Sequence, residues 1–228
     1  MSSAAVWGLV AIAPLVVLTL TSFVKLSVVL SLVRNAIGAP EAPSGLVVTG
    51  VALVLTFFVM APVAIDMVHA AVTVPAAPAP GSPAPEGPQP GSVDEAVREL
   101  VPAEYRPQLD AAERAIEPLR AFLAKHAATA DRDTFVALAK KLGKDVKGDE
   151  LWVLAPAFIA TELREAFAIA LLIFIPFLVI DLVVALGLAS LGLQATSPQS
   201  VALPFKLLLF VAVDGWRLLL DSLLRGYL

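Results

Sequence analysis

The chain has 228 residues, of which 58% are hydrophobic and 16% charged, and its mean hydropathy is +0.85. Such a composition belongs to a membrane-associated protein rather than a water-soluble domain. Sixteen basic against twenty acidic residues leave a net charge of −4, which excludes the broad basic field of a nucleic-acid binder. With no cysteine there is no disulfide, thiolate metal site or cysteine nucleophile.

Residues 1–24 carry no charge, and neither do residues 42–65. Either block is about 36 Å long as a helix, enough to cross a hydrocarbon core of about 30 Å. Pro14 and Pro62 are expected to kink them. No Lys or Arg precedes Lys25, so the first block lacks the basic region of a signal peptide and is expected to be retained. Lys25 and Arg34 follow it, and the positive-inside rule then puts the 34–44 link in the cytoplasm and the middle of the chain outside.

Residues 74–91, "VPAAPAPGSPAPEGPQPG", hold seven of the eighteen prolines and form neither ladder nor core, so they read as an extended spacer. Residues 92–150 are charge-rich and helical in pattern. Ser92 and Glu95 make a capping-box pair, and Leu109, Ala112, Ile116, Leu119 and Phe122 recur at helical spacing. A further helix carries Phe135, Leu138 and Leu142, with Asp131 or Asp133 as its cap and Gly143 just past its end. No catalytic order or phosphate loop stands out here. His69 and His126 have no ligand partner at helical spacing, so neither metal nor cofactor is expected.

Apolar sequence resumes at 166–180 and, after Asp181, at 182–205, giving four expected spans in all. The run "LPFKLLLFVAVDGW", 203–216, then holds two full charges, Lys206 and Asp214. A charge at a bilayer centre costs about 2.5–3.5 kcal/mol, so compensation is required. Halfway between Asp181 and Lys206 the chain reads "SLGLQATSPQS", with Gly192 and Pro198 as turn chemistry. A reversal there brings Asp181 and Lys206 level on antiparallel helices, where they can pair within one hairpin or between copies. Snorkelling is the alternative, and Asp is too short for it. Asp214 has candidate partners in Arg217, three residues on, and in basic residues of other segments.

Three stretches, "TSFVKLSVVLSLVRNAIG" (21–38), "PAFIATELREAFAIALLIFIPFLVIDLVVALGLASLG" (156–192) and "SPQSVALPFKLLLFVAVDGW" (197–216), resemble the R subunit of the bacterial type III secretion export apparatus, whose flagellar counterpart is FliP. The resemblance implies an all-α, membrane-associated fold and no enzymatic activity. It also implies five copies joined with S and T subunits into a helical ring, an inner-membrane export gate passed by unfolded proteins. Asp181 and Lys206 match charged positions of the family, and Lys25, Arg34 and Asp214 lie inside the matching blocks as expected members of the assembly core. The family's methionine-rich tip is replaced here by Leu193, Gln194 and Ala195, with Leu193 the expected pore constriction. Four parts follow: apolar helices 1–73, spacer 74–91, outer-side module 92–150 and apolar hairpin core 151–228. The competing readings are an ion-coupled solute transporter, for which the chain lacks an internal repeat, and a membrane-anchored scaffold.

Overall fold

The computed structural model describes residues 18–38, 44–73, 104, 106–143, 146–193 and 195–227, and within them every regular element is helical. Seven helices follow in order among the described residues: α1 (Phe23–Ile37), α2 (Gly45–Val72), α3 (Arg106–His126), α4 (Thr129–Lys141), α5 (Leu151–Ser190), α6 (Pro198–Ala212) and α7 (Gly215–Arg225). They divide into two compact units. One comprises Met1–Val59 with Glu162–Leu228, the other Met60–Thr161, so the partition falls inside α2 and inside α5.

In the first unit α1 forms the centre. Leu26, Val29, Leu30, Val33, Ala36 and Ile37 fall at helical spacing and are all buried. They pack with Ala52, Ala166, Phe177, Phe210, Leu219 and Leu223. The helix stops at Gly38, which takes φ +79° and donates its N–H to the Asn35 carbonyl. A left-handed residue is what ends a helix this way, and glycine adopts that conformation without a Cβ penalty.

In the second unit Phe122 and Leu123 of α3 are buried, and the Phe122 ring packs tilted against Phe158, 5.7 Å between centroids. Ala139, Val146 and Val153 form a neighbouring cluster with Phe135 and Val136. The expected acidic cap of α4 is not its cap. Ala128 occupies that position, and its N–H is taken by the Thr161 hydroxyl at 3.0 Å. Asp131 instead sits in the first turn and accepts from the same hydroxyl at 2.6 Å. The distant Thr161 thus takes the N–H of the cap residue itself, while the Asp131 N–H returns to the Ala128 carbonyl. Gly143 does follow α4 in the left-handed region, at φ +76°.

α2 and α5 are the helices long and apolar enough to cross a membrane among the described residues, and they hold the second and third of the expected spans. The first expected block lies largely outside the described residues, as do Pro14, the 74–91 spacer and the Ser92–Glu95 pair. α2 continues unbroken through Pro62. α5 runs 40 residues, about 60 Å, straight through Asp181. The 182–205 stretch is therefore no span: it holds the end of α5, the turn and the start of α6. Large apolar side chains stay exposed along both long helices, among them Phe57 and Phe58 on α2 and Leu171, Leu172 and Leu186 on α5. Apolar surface of this extent fits lipid or neighbouring protein, not water.

Candidate functional site

Two buried ion clusters and one exposed turn make up the site, all within the first unit. The turn comes from the end of α5. Gly192 adopts φ +72° and donates to the Ala189 carbonyl, while the Leu193 N–H reaches back to Leu188. That pair of bonds closes a helix with a glycine in the left-handed position and turns the chain out of the helical path. Leu193 and Ala195 are exposed there, and Gln194 lies outside the described residues. Pro198 then opens α6, where its missing N–H costs nothing and its fixed φ suits the first turn.

The first cluster joins α6 to α5 and α1. Lys206 Nζ donates to Asp181 Oδ2 at 2.7 Å and to the Ala36 carbonyl at 3.1 Å. Its side chain is 7% exposed and that of Asp181 32%. Ala36 lies in the last turn of α1, whose final carbonyls lack intrahelical donors. The Lys206 ammonium therefore answers two needs: it neutralises the carboxylate on α5 and satisfies a carbonyl at the negative end of α1. A Cβ placed on Gly38 would lie 3.8 Å from Lys206 Nζ, so the left-handed stop of α1 is packed close beside the ammonium.

The second cluster surrounds Lys25, which is 2% exposed. Its ammonium lies 2.7 Å from Glu165 Oε2 and 3.0 Å from Glu162 Oε1. The Tyr227 ring stands over it, 4.4 Å from ammonium to centroid. The Tyr227 hydroxyl in turn donates to Glu162 Oε2. Burial first, then the Glu162 charge, pushes the Tyr227 phenol well above its usual range, so it stays a donor. Of these four residues the sequence pattern singled out Lys25 alone. Glu162 and Glu165 resemble ordinary helix charges, and their i, i+3 spacing beside a long apolar run was the one available signal.

The remaining expected residues are not brought together with these. Arg34 is half-buried on α1, its guanidinium close to Gly45. Asp214 is exposed, takes the left-handed conformation (φ 51°, ψ 50°) just before α7 and forms no ion pair with Arg217 among the described residues. Its role in the geometry is that of a corner. Gly215 beside it is buried, and a Cβ there would come within 2.4 Å of the Phe210 ring. His69 lies in the last turn of α2, and His126 ends α3 against Phe122. No group of three or more metal-ligating side chains occurs among the described residues.

A FliP-family sequence profile matches residues 6–223. The chain belongs to the FliP family. A Xanthomonas campestris pv. glycines protein, "Pathogenicity-related ORF2", is 42% identical over 94% of this chain and 90% of its own length. The flagellar biosynthetic protein FliP of Pectobacterium carotovorum is 41% identical, over 94% of this chain and 73% of that protein. The hypersensitivity response secretion protein HrcR of Ralstonia nicotianae is 39% identical, over 96% and 93%. A flagellar and a hypersensitivity-response secretion relative thus stand at nearly equal distance. FliP-family proteins are components of the flagellar and type III secretion export apparatus; Asp181, Lys206, Lys25, Glu162 and Glu165 lie within the matched residues of this FliP-family chain, and Tyr227 lies just beyond them.

Proposed function

We propose that this chain is the subunit of a type III export gate that forms the pore, five copies assembling with one T subunit and the small S subunits to pass unfolded proteins across the bacterial inner membrane. One observation carries the reading. Two apolar helices, pinned level by a buried ion pair, reverse at a turn that leaves Leu193 and Ala195 exposed. Repeated around an axis, such turns would line a constriction, with Leu193 as the apolar ring that excludes water. The uncovered apolar faces of α2 and α5 supply surface for neighbouring copies and for lipid. Residues 1–73 and 151–228 would then build the core, 74–91 would act as spacer, and 92–150 would stand on the periplasmic side.

The chain contains no cysteine, so a single introduced thiol reports one position. Leu193→Cys should restore secretion to a strain lacking the gene. It should also cross-link to a secreted protein stalled in transit by a folded fusion partner. A cysteine on the exposed face of α4, such as Lys141→Cys, should not. Secretion unaffected by deleting the gene, or equal cross-linking at both positions, would remove the pore reading.

A further inference from the structure

Tyr227 meets the Lys25 cluster through its ring, its hydroxyl and the backbone before it. The ring covers the ammonium, and the hydroxyl reaches Glu162 Oε2. A Cβ on Gly226 would lie 3.5 Å from Lys25 Nζ, so the backbone of this segment itself rests against the charge. The side chains are unequal in their need for protein partners. Glu165 is half exposed and can be hydrated, whereas the Glu162 side chain is 1% exposed. Glu162 Oε1 faces Lys25 as an ion contact without a well-directed hydrogen bond, which leaves Tyr227 as the hydrogen-bond donor to this carboxylate among the described residues. A buried carboxylate is held in one orientation only when both of its oxygens are engaged, and an unmet one is costly. Leu223, fully buried one turn earlier, anchors the segment on the apolar side.

We propose that Tyr227 is a positioning residue, its hydroxyl holding the Glu162 carboxylate turned toward Lys25 and thereby fastening the segment after α7 onto α5 and α1. The aromatic ring excludes water from the ammonium, and the hydroxyl supplies the directed bond that the lysine, shared between two carboxylates, does not give to both.

The test is a double-mutant cycle on the full chain, purified from membranes in mild detergent. Tyr227→Phe keeps the ring and deletes the donor. Its apparent melting temperature should fall by about 5 °C, the loss of one hydrogen bond to a charged group in a chain of this size. Glu162→Gln removes the charge and leaves a weaker, neutral acceptor, so adding Tyr227→Phe to it should cost less than half as much. If Tyr227→Phe does not accumulate in membranes, accumulation of the double variant at the level of Glu162→Gln supports the proposal in the same way. A Tyr227→Phe loss that is the same in both backgrounds, or no loss in either, assigns Tyr227 to packing alone and overturns it. Neither readout depends on export, so the result stands apart from the pore reading.

Discussion

Replacing Lys206 by Leu removes one ammonium from two partners, and the two losses can be separated. Asp181 is left without its cation at an apolar helix. Breaking a fully buried pair costs about 3–5 kcal/mol, but with Asp181 32% exposed the share here falls to about 2 kcal/mol. The Ala36 carbonyl loses its donor as well, worth about 1 kcal/mol or more. Together about 3 kcal/mol should lower the melting temperature by roughly 6–12 °C for a chain of this size. Asp181→Asn removes only the charge pairing. The amide can still accept from Lys206 while Lys206 keeps Ala36, so its effect should be under half as large. The charge swap Asp181→Lys with Lys206→Asp restores opposite charges but points a carboxylate at the Ala36 carbonyl, so it should recover only part of the loss. Thermal unfolding of the four proteins in detergent measures the series. Equal losses for Lys206→Leu and Asp181→Asn would refute the capping role, and no loss in either would refute the pairing.

Gly215→Ala should destabilise by about 1–3 kcal/mol, because its Cβ would stand 2.4 Å from the Phe210 ring, which also packs on Phe177 and Trp216; denaturant titration reads the change. Thr161→Val keeps the shape and leaves the Ala128 N–H without its acceptor, a cost of about 1–3 kcal/mol visible as early proteolysis of α4. Burial works against the Glu150 charge, but the backbone N–H groups of Lys147, Glu150 itself and Gly148, with the Lys147 charge, outweigh it and hold its carboxyl below the usual glutamate range. The stabilisation this gives is present above the ordinary glutamate pKa of about 4.3 and is lost as pH falls through the lower folded value. Solvent screening keeps it under about 1 kcal/mol, and Glu150→Gln should flatten the acid limb of the stability profile. Leu193→Gly should raise leakage of small molecules through the assembled complex while leaving its subunit count unchanged, measured by dye uptake and native mass analysis.

The late reversal was legible because two lone charges in oil demand partners and glycine and proline mark the place between them. α5 ends at Ser190 and α6 begins at Pro198, on either side of that place. What hid was what depends on distant chain. Glu165 and Lys25 are 140 residues apart, and nothing local to either marks the other. The start of α4 hides for the same reason, since Thr161, 30 residues from Asp131, holds both the Ala128 N–H and the Asp131 carboxylate. Asp214 looked like one half of an ion pair, whereas its backbone, followed by a glycine that only fits without a Cβ, makes it a corner. Counting uncharged residues also made a span of 182–205, because an apolar run reports that a face is covered and not by what.

The ammonium that finishes the final turn of α1 sits 170 residues further along the chain. At about 5–20 residues per second of synthesis, roughly ten to thirty seconds separate the emergence of α1 from the ribosome and the arrival of Lys206. Throughout that interval the Ala36 carbonyl lacks its donor, and the part of α1 that later packs on Phe177, Phe210, Leu219 and Leu223 lacks those neighbours. The order of the polypeptide therefore makes the second half of the chain complete what the first half begins.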